Sequence, residues 1–112
     1  MAWNYFYFIF EQNILLFVEE KSFKQQDGFV EQTVGGETIL VPLVNSVAQM
    51  NEVITLNELG TYIYHLLEEQ KSFSDLVEEI LKTYDVNKTE VINDLNNFLT
   101  NALEKKIIFA LN

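Results

Sequence analysis

The chain has no cysteine, no arginine, a single histidine and a single proline in 112 residues. Without cysteine there are no disulfides, no thiolate metal sites, no iron–sulfur ligation by the chain and no thiol catalysis. A reducing cytoplasm fits that composition. Without arginine the chain lacks the bidentate partner that phosphate and guanine favour. Its seven lysines stand against 17 acids, for a net charge of -10. The acid is spread evenly: residues 1–55 carry seven acids and two lysines, and residues 56–112 carry ten and five. This pattern describes a solvated acidic surface and argues against nucleic-acid binding. Any serine–histidine–carboxylate triad would need His65, which lies on an amphipathic helical stretch beside Tyr64 and Leu66, a setting for a helix-surface or boundary histidine. Glu68-Glu69 and Glu78-Glu79 are adjacent pairs, and adjacent residues on a helix point in different directions. No nucleophile, base and orienting partner come together, no metal or cofactor site is expected, and the expectation is a non-enzymatic binding module.

Hydrophobic residues make up 48% of the chain, enough for one modest core. The first ten residues, "MAWNYFYFIF", hold Trp3, Tyr5, Phe6, Tyr7, Phe8 and Phe10, and "ILLFV" follows at Ile14–Val18. No basic residue precedes this run and no small-residue cleavage site follows, so it is not a signal peptide. Glu11, Gln12 and Asn13 interrupt it, and it is short for a membrane span. Strand and helix are not separable by pattern there. So many aromatics need an apolar partner, and a homodimer built on Trp3, Tyr5, Phe6, Tyr7, Phe8 and Phe10 is the expectation, with the molecule's own sheet face, where the helices leave it uncovered, as the competing outlet. Residues 1–22 are therefore read as an aromatic extension and 23–112 as the folded domain.

From Phe29 the pattern is clearer. "FVEQTV" and "ETILVPL" are strands joined by Gly35-Gly36, a two-residue hairpin signal because both glycines can take positive φ. Pro42 cannot donate to a ladder and belongs at a strand end. "VITL" at 53–56 is a third strand, reached through the connector "VNSVAQMNE". Three helices follow. Asn57 caps the first, in which Gly60 sits in the opening turn, where glycine costs up to about 1 kcal/mol relative to alanine. Ser72 with Asp75 opens the second, whose apolar positions are Phe73, Leu76, Val77, Ile80, Leu81 and Tyr84. Asn87 with Glu90 opens the third, whose stripe is Val91, Leu95, Phe98, Leu99, Ala102 and Leu103. "IIFAL" then tucks into the core or adds a strand. The fold class is α+β and winged-helix-like: a small three-stranded antiparallel sheet followed by three helices, with the aromatic segment in front.

Several spaced features in this layout carry a resemblance. They are the Leu56-Asn57-Glu58 turn with Gly60, the Tyr84-Asp85-Val86 break between the second and third helices, and Asp94 followed by Phe98-Leu99. Over about residues 28 to 109 the chain resembles the PqqD family, the small proteins of coenzyme PQQ biosynthesis and their relatives. Lys106 stands where that pattern usually has a glycine after the last helix, which weakens the C-cap. The resemblance implies a non-catalytic peptide-recognition element. It would hold the leader of a ribosomally made precursor as an added strand beside the third strand, against the third helix, and present it to a maturation enzyme such as a radical SAM protein. It also implies the peptide-binding positions: the edge Asn51, Val53, Ile54, Thr55 and Leu56, with a groove wall from the third helix. Ile92 and Leu99 flank the apolar stripe and are the lining candidates; Leu95 serves the core or the wall. Two other readings stand beside it: a structural or dimerisation module, and a winged-helix nucleic-acid binder, for which the third helix has lysines only at its ends. Gly60 is expected to let the first helix approach a neighbouring backbone.

Overall fold

In the computed structural model, residues 21–43 and 53–112 are described. The elements in chain order are β1 (Ser22–Gln25), β2 (Phe29–Val34), β3 (Glu37–Pro42), β4 (Ile54–Leu56), α1 (Glu58–Leu66), β5 (Lys71–Ser72), α2 (Phe73–Thr83), α3 (Lys88–Glu104) and β6 (Ile108–Leu111). The α+β expectation holds: a small antiparallel sheet in the order β2-β3-β4 and three helices. Gly35 and Gly36 both have positive φ, 59° and 86°, and close the β2–β3 hairpin. Pro42 is the last residue of β3, opposite Phe29. Sequence patterning gave no strand at Ser22–Gln25, a stretch too short and polar to announce one. The structure pairs it antiparallel with both β5 and β6 in a second sheet, so the chain's final apolar residues do add a strand. Trp3, Tyr5, Phe6, Tyr7, Phe8 and Phe10, the dimer expected of them, and Asn51 lie outside the described residues.

The helix starts are built as their sequences specify. Asn57 accepts from Gly60 N at 2.8 Å, Ser72 and Asp75 form a reciprocal capping box, and Asn87 accepts from Glu90 N at 2.8 Å. Each such cap satisfies an amide that the helix leaves unpaired, worth about 1 kcal/mol. The carbonyls at and just past the end of α1 are taken up by two β1 residues, Lys24 and Gln25. Gln25 N donates to Leu67 O at 2.8 Å, Gln25 Nε2 to Tyr64 O at 2.8 Å, and Lys24 Nζ to Glu68 O at 2.7 Å. This polar seam ties the second sheet to the helices. Between α1 and α2, the Tyr62 hydroxyl hydrogen-bonds Thr83 Oγ1 at 2.7 Å, and the Tyr62 ring meets Tyr84 edge-on at 5.4 Å.

The core sits under the inner face of the β2-β3-β4 sheet and between the helices. Leu40, Ile63, Leu67, Leu76, Leu95 and Ile107 are its fully buried side chains, each contributing about 1.5–3 kcal/mol by leaving water. Buried Tyr64 belongs to the same layer. Burial first, then the carboxylates of Glu31, Asp27 and Glu68, push its phenol up to about 12, so it stays neutral at physiological pH. His65, on the next position of α1, is half-buried and bonded to Glu31 of β2. That contact places α1 against the sheet's inner face.

The third helix ends in a full Schellman motif. Lys106 N donates to Leu103 O and Ile107 N to Ala102 O, both at 3.1 Å, with Lys106 at φ 62°. A lysine in that left-handed region costs on the order of 1–2 kcal/mol, part of which a glycine would give back as unfolded-state entropy. Because Lys106 is exposed, Lys106→Gly should remove the strain without loss of packing. The expected outcome is stabilisation by up to about 1 kcal/mol in urea unfolding, with an unchanged m-value. A destabilised variant would mean the lysine side chain contributes more than its backbone costs.

Candidate functional site: an open strand edge beside the third helix

Strand β4 has β3 on one side, with Thr38 opposite Leu56, Ile39 opposite Thr55 and Leu40 opposite Ile54. Its other side has no strand partner among the described residues. Among the described residues it is therefore the edge of its sheet, of the kind whose backbone donors and acceptors an extended chain can pair with. Ile54 and Leu56 point into the core, whereas Thr55 and the preceding Val53 are exposed.

Beside this edge lies a cleft of about 560 Å³. Its strand side is Ile54, Thr55 and Leu56, continuing into Asn57 and Gly60 of the joint; its helix side is Phe98, Asn101, Ala102 and Lys105, with Glu37 and Ile107 completing it. Positions 98, 101, 102 and 105 are spaced i, i+3, i+4 and i+7, so they form one stripe down α3. The floor is apolar, from Leu56, Phe98, Ala102 and Ile107. The polar groups number one lysine, one glutamate, two asparagines and Thr55. That mixture suits an uncharged or mildly amphipathic segment better than a highly charged one.

The helix wall differs from the expected one. Leu95 and Leu99 are buried in the core, with Val91 and Ala102 on the same inward side of α3. Ile92 is half-buried against that core and is not among the residues lining the cleft. The reason is geometric. The strongest apolar stripe of an amphipathic helix marks the side facing the interior. The side facing a cleft at the margin of that interior carries a mixed stripe, here Phe98, Asn101, Ala102 and Lys105. Of these, Phe98 and Ala102 belong to the apolar stripe read from the sequence, whereas Asn101 and Lys105 carried no signal.

Gly60 occupies the point where strand, helix and cleft meet. It is buried in the first turn of α1, and its amide is held by the Asn57 cap. A Cβ placed on it would stand 3.2 Å from Phe98 Cε1, 3.2 Å from Asn57 Oδ1 and 3.5 Å from Leu56 Cβ. The close approach is thus to side chains, above all the Phe98 ring, and not to a neighbouring backbone. The same joint is fixed by Thr61, whose buried hydroxyl donates to Leu56 O at 3.3 Å.

Comparisons with known proteins place the chain in a family. The arrangement is a small α+β domain with an open sheet edge, and among the described residues no group of three or more His, Cys, Asp or Glu side chains could hold a metal ion. The family model for coenzyme PQQ synthesis protein D (PqqD) matches residues 33–108, more than half of the chain, and the chain belongs to that family. It is also similar to a solved structure of TbiB1 in complex with the TbiA(beta) leader peptide, at a TM-score of 0.64 and 29% identity, covering 76% of this chain and 93% of that one. No curated protein matches the chain. Among the described residues no helix is long and apolar enough to cross a membrane.

Gly60 supplies a direct test of the joint. Glycine to alanine inside a helix ordinarily gains about 0.5–1 kcal/mol. Here the added methyl must displace the Phe98 ring and crowd the cap, so Gly60→Ala should gain none of it. Gly60→Leu should lose about 1–3 kcal/mol in denaturant unfolding, the usual cost of overpacking. Gly60→Leu at wild-type stability would show that close packing is not why glycine stands there.

Proposed function

We propose that this chain is a non-catalytic recognition element for the leader of a ribosomally synthesised precursor peptide. The leader adds as a strand along Val53–Leu56 and lies in the cleft against α3. The observation that carries this reading is the coincidence of an unpartnered strand edge with an apolar-floored cleft along the same residues. The likeness to TbiB1, solved with a leader peptide bound, supports it, as does membership of the PqqD family.

The chemistry of recognition follows from the two halves of the site. Backbone pairing along β4 supplies affinity that any extended segment can use, and side chains dropping onto Phe98, Ala102 and Ile107 select among segments. An anchoring aliphatic or aromatic side chain is worth about 1.5–3 kcal/mol when fully buried, enough for ten-fold or greater discrimination. The modifying chemistry belongs to a partner enzyme, of which a radical SAM protein is one class, and this chain presents the bound peptide to it. It needs neither metal nor cofactor for that task. At a net charge of -10, with seven lysines dispersed among 17 acids and no arginine, it is ill suited to replacing the counterions of nucleic acid.

The test is calorimetric titration with the leader of a precursor encoded beside this chain. Binding is expected without added metal and with little change between low and physiological salt, since neither backbone pairing nor an apolar anchor is screened. Phe98→Ala should weaken binding about ten-fold, roughly 1.4 kcal/mol. Glu78→Gln, at an exposed position on α2, should leave it unchanged. Affinity that collapses in salt, or that is indifferent to Phe98, would overturn the cleft as the binding site.

A further inference from the structure

A second hollow, of about 100 Å³, opens where α1, α2 and α3 meet. Its buried floor is Ile80, Val91 and Leu95, and its half-buried walls are Leu59 and Tyr84. Exposed Val86 and Asp94 stand at its mouth. The leader cleft uses none of these residues. The two hollows are nevertheless neighbours. Gly60 lines the cleft and Leu59 the hollow, so the first turn of α1 divides them. Positions 91, 94, 98, 101 and 105 recur every three or four residues, which puts both along one stripe of α3. At the rise of an α-helix their centres lie about 12 Å apart.

The chemistry of the lining selects an occupant. Apart from Asp94 and the Tyr84 phenol, the lining side chains are apolar. Asp94 makes no hydrogen bond or ion pair among the described residues. Burial first, then the carboxylate of Glu58, holds the Tyr84 phenol above its usual range. A second negative charge therefore stands close to the same mouth. Glu58, Asp85 and Glu90 adjoin lining residues in sequence; of the bases in the same stretch, Lys82 pairs with Glu79, and Lys88 opens α3. An acidic side chain would be repelled here. An uncharged one would cover the Asp94 carboxylate and leave it without a partner. A lysine satisfies both parts, with an alkyl stem for the apolar floor and a compact ammonium for the carboxylate. The volume admits one such side chain and no stretch of backbone.

We propose that this hollow is a docking socket for a lysine side chain on the modifying enzyme, with Asp94 as its anionic partner and Ile80, Val91 and Leu95 beneath its alkyl stem. The identity of the partner rests on the leader-recognition reading; the lysine chemistry does not. An enzyme seated there lies beside the leader cleft and leaves it open.

Two experiments on the full chain test this. n-Butylammonium chloride copies the stem and charge of lysine. At fixed ionic strength it should shift the methyl signals of Leu59, Ile80, Val91 and Leu95 saturably, and n-butanol should bind about five-fold more weakly. Asp94→Asn, at an exposed position, should abolish that difference. The second experiment measures binding of the modifying enzyme encoded beside this chain. Asp94→Asn should weaken it about five-fold, and more at low salt. Glu78→Gln removes the same charge from an exposed position on α2 and should leave it unchanged. Leader affinity should be equal in both variants. Methyl signals that ignore n-butylammonium or answer n-butanol equally, or enzyme binding indifferent to Asp94, would overturn the socket. Leader binding weakened by Asp94→Asn would overturn it too, in favour of a lysine from the precursor. A wild-type chain that binds no leader would overturn the leader reading, and the n-butylammonium titration would still decide the socket.

Discussion

The joint between β4 and α1 is the constraint on which the site depends. A three-residue strand passes into a helix through one residue, Asn57, whose side chain caps the helix it opens. The buried Thr61 hydroxyl reaches back to the last strand carbonyl, Leu56 O, so the angle between strand and helix is held by hydrogen bonds on both sides of the turn. Gly60 then lets the Phe98 ring of α3 come against the first turn. The cleft is the space that remains between an edge strand and a helix whose separation is set in this way. A side chain at position 60 would compete with Phe98 for the same volume, and Phe98 is also the largest apolar surface in the cleft.

The second sheet serves the first indirectly. β1 and β6 pair with each other, and β1 residues satisfy the carbonyls at the far end of α1. Helix α1 is thus anchored at its start by β4 and at its end by β1. Helix α3 is anchored at its end by the Schellman turn that leads into β6. The chain spends a left-handed lysine at 106 to make that turn, and the benefit is that Ile107 and Ile108 go straight from the helix into the core.

Much of this could be read from residue types alone, because local chemistry carries it. Asn57, Ser72 with Asp75, and Asn87 with Glu90 announce helix starts through their own side chains. Gly35-Gly36 announces a hairpin through its φ angles. The edge strand could be placed because "VITL" has β-type composition and stops at a cap. Two things could not be read. Ser22–Gln25 becomes a strand only because β5 and β6 lie on either side of it, and pairing across such distances in sequence leaves no periodic trace. The helix wall of the cleft was displaced for a related reason. Hydrophobic periodicity locates what faces the core, and Leu95 and Leu99 face it; the cleft is lined by the neighbouring stripe, whose mixed character looks like ordinary surface.

The central claim is that an extended peptide pairs with β4 while its side chains rest on α3, and nuclear Overhauser contacts between a bound leader and the labelled protein test it most directly. The account predicts backbone contacts from the peptide to Val53–Leu56 together with side-chain contacts to Phe98 and Ala102, in one complex. Contacts confined to the Gly35-Gly36 turn or to α2, with the β4 amides unaltered, would contradict it.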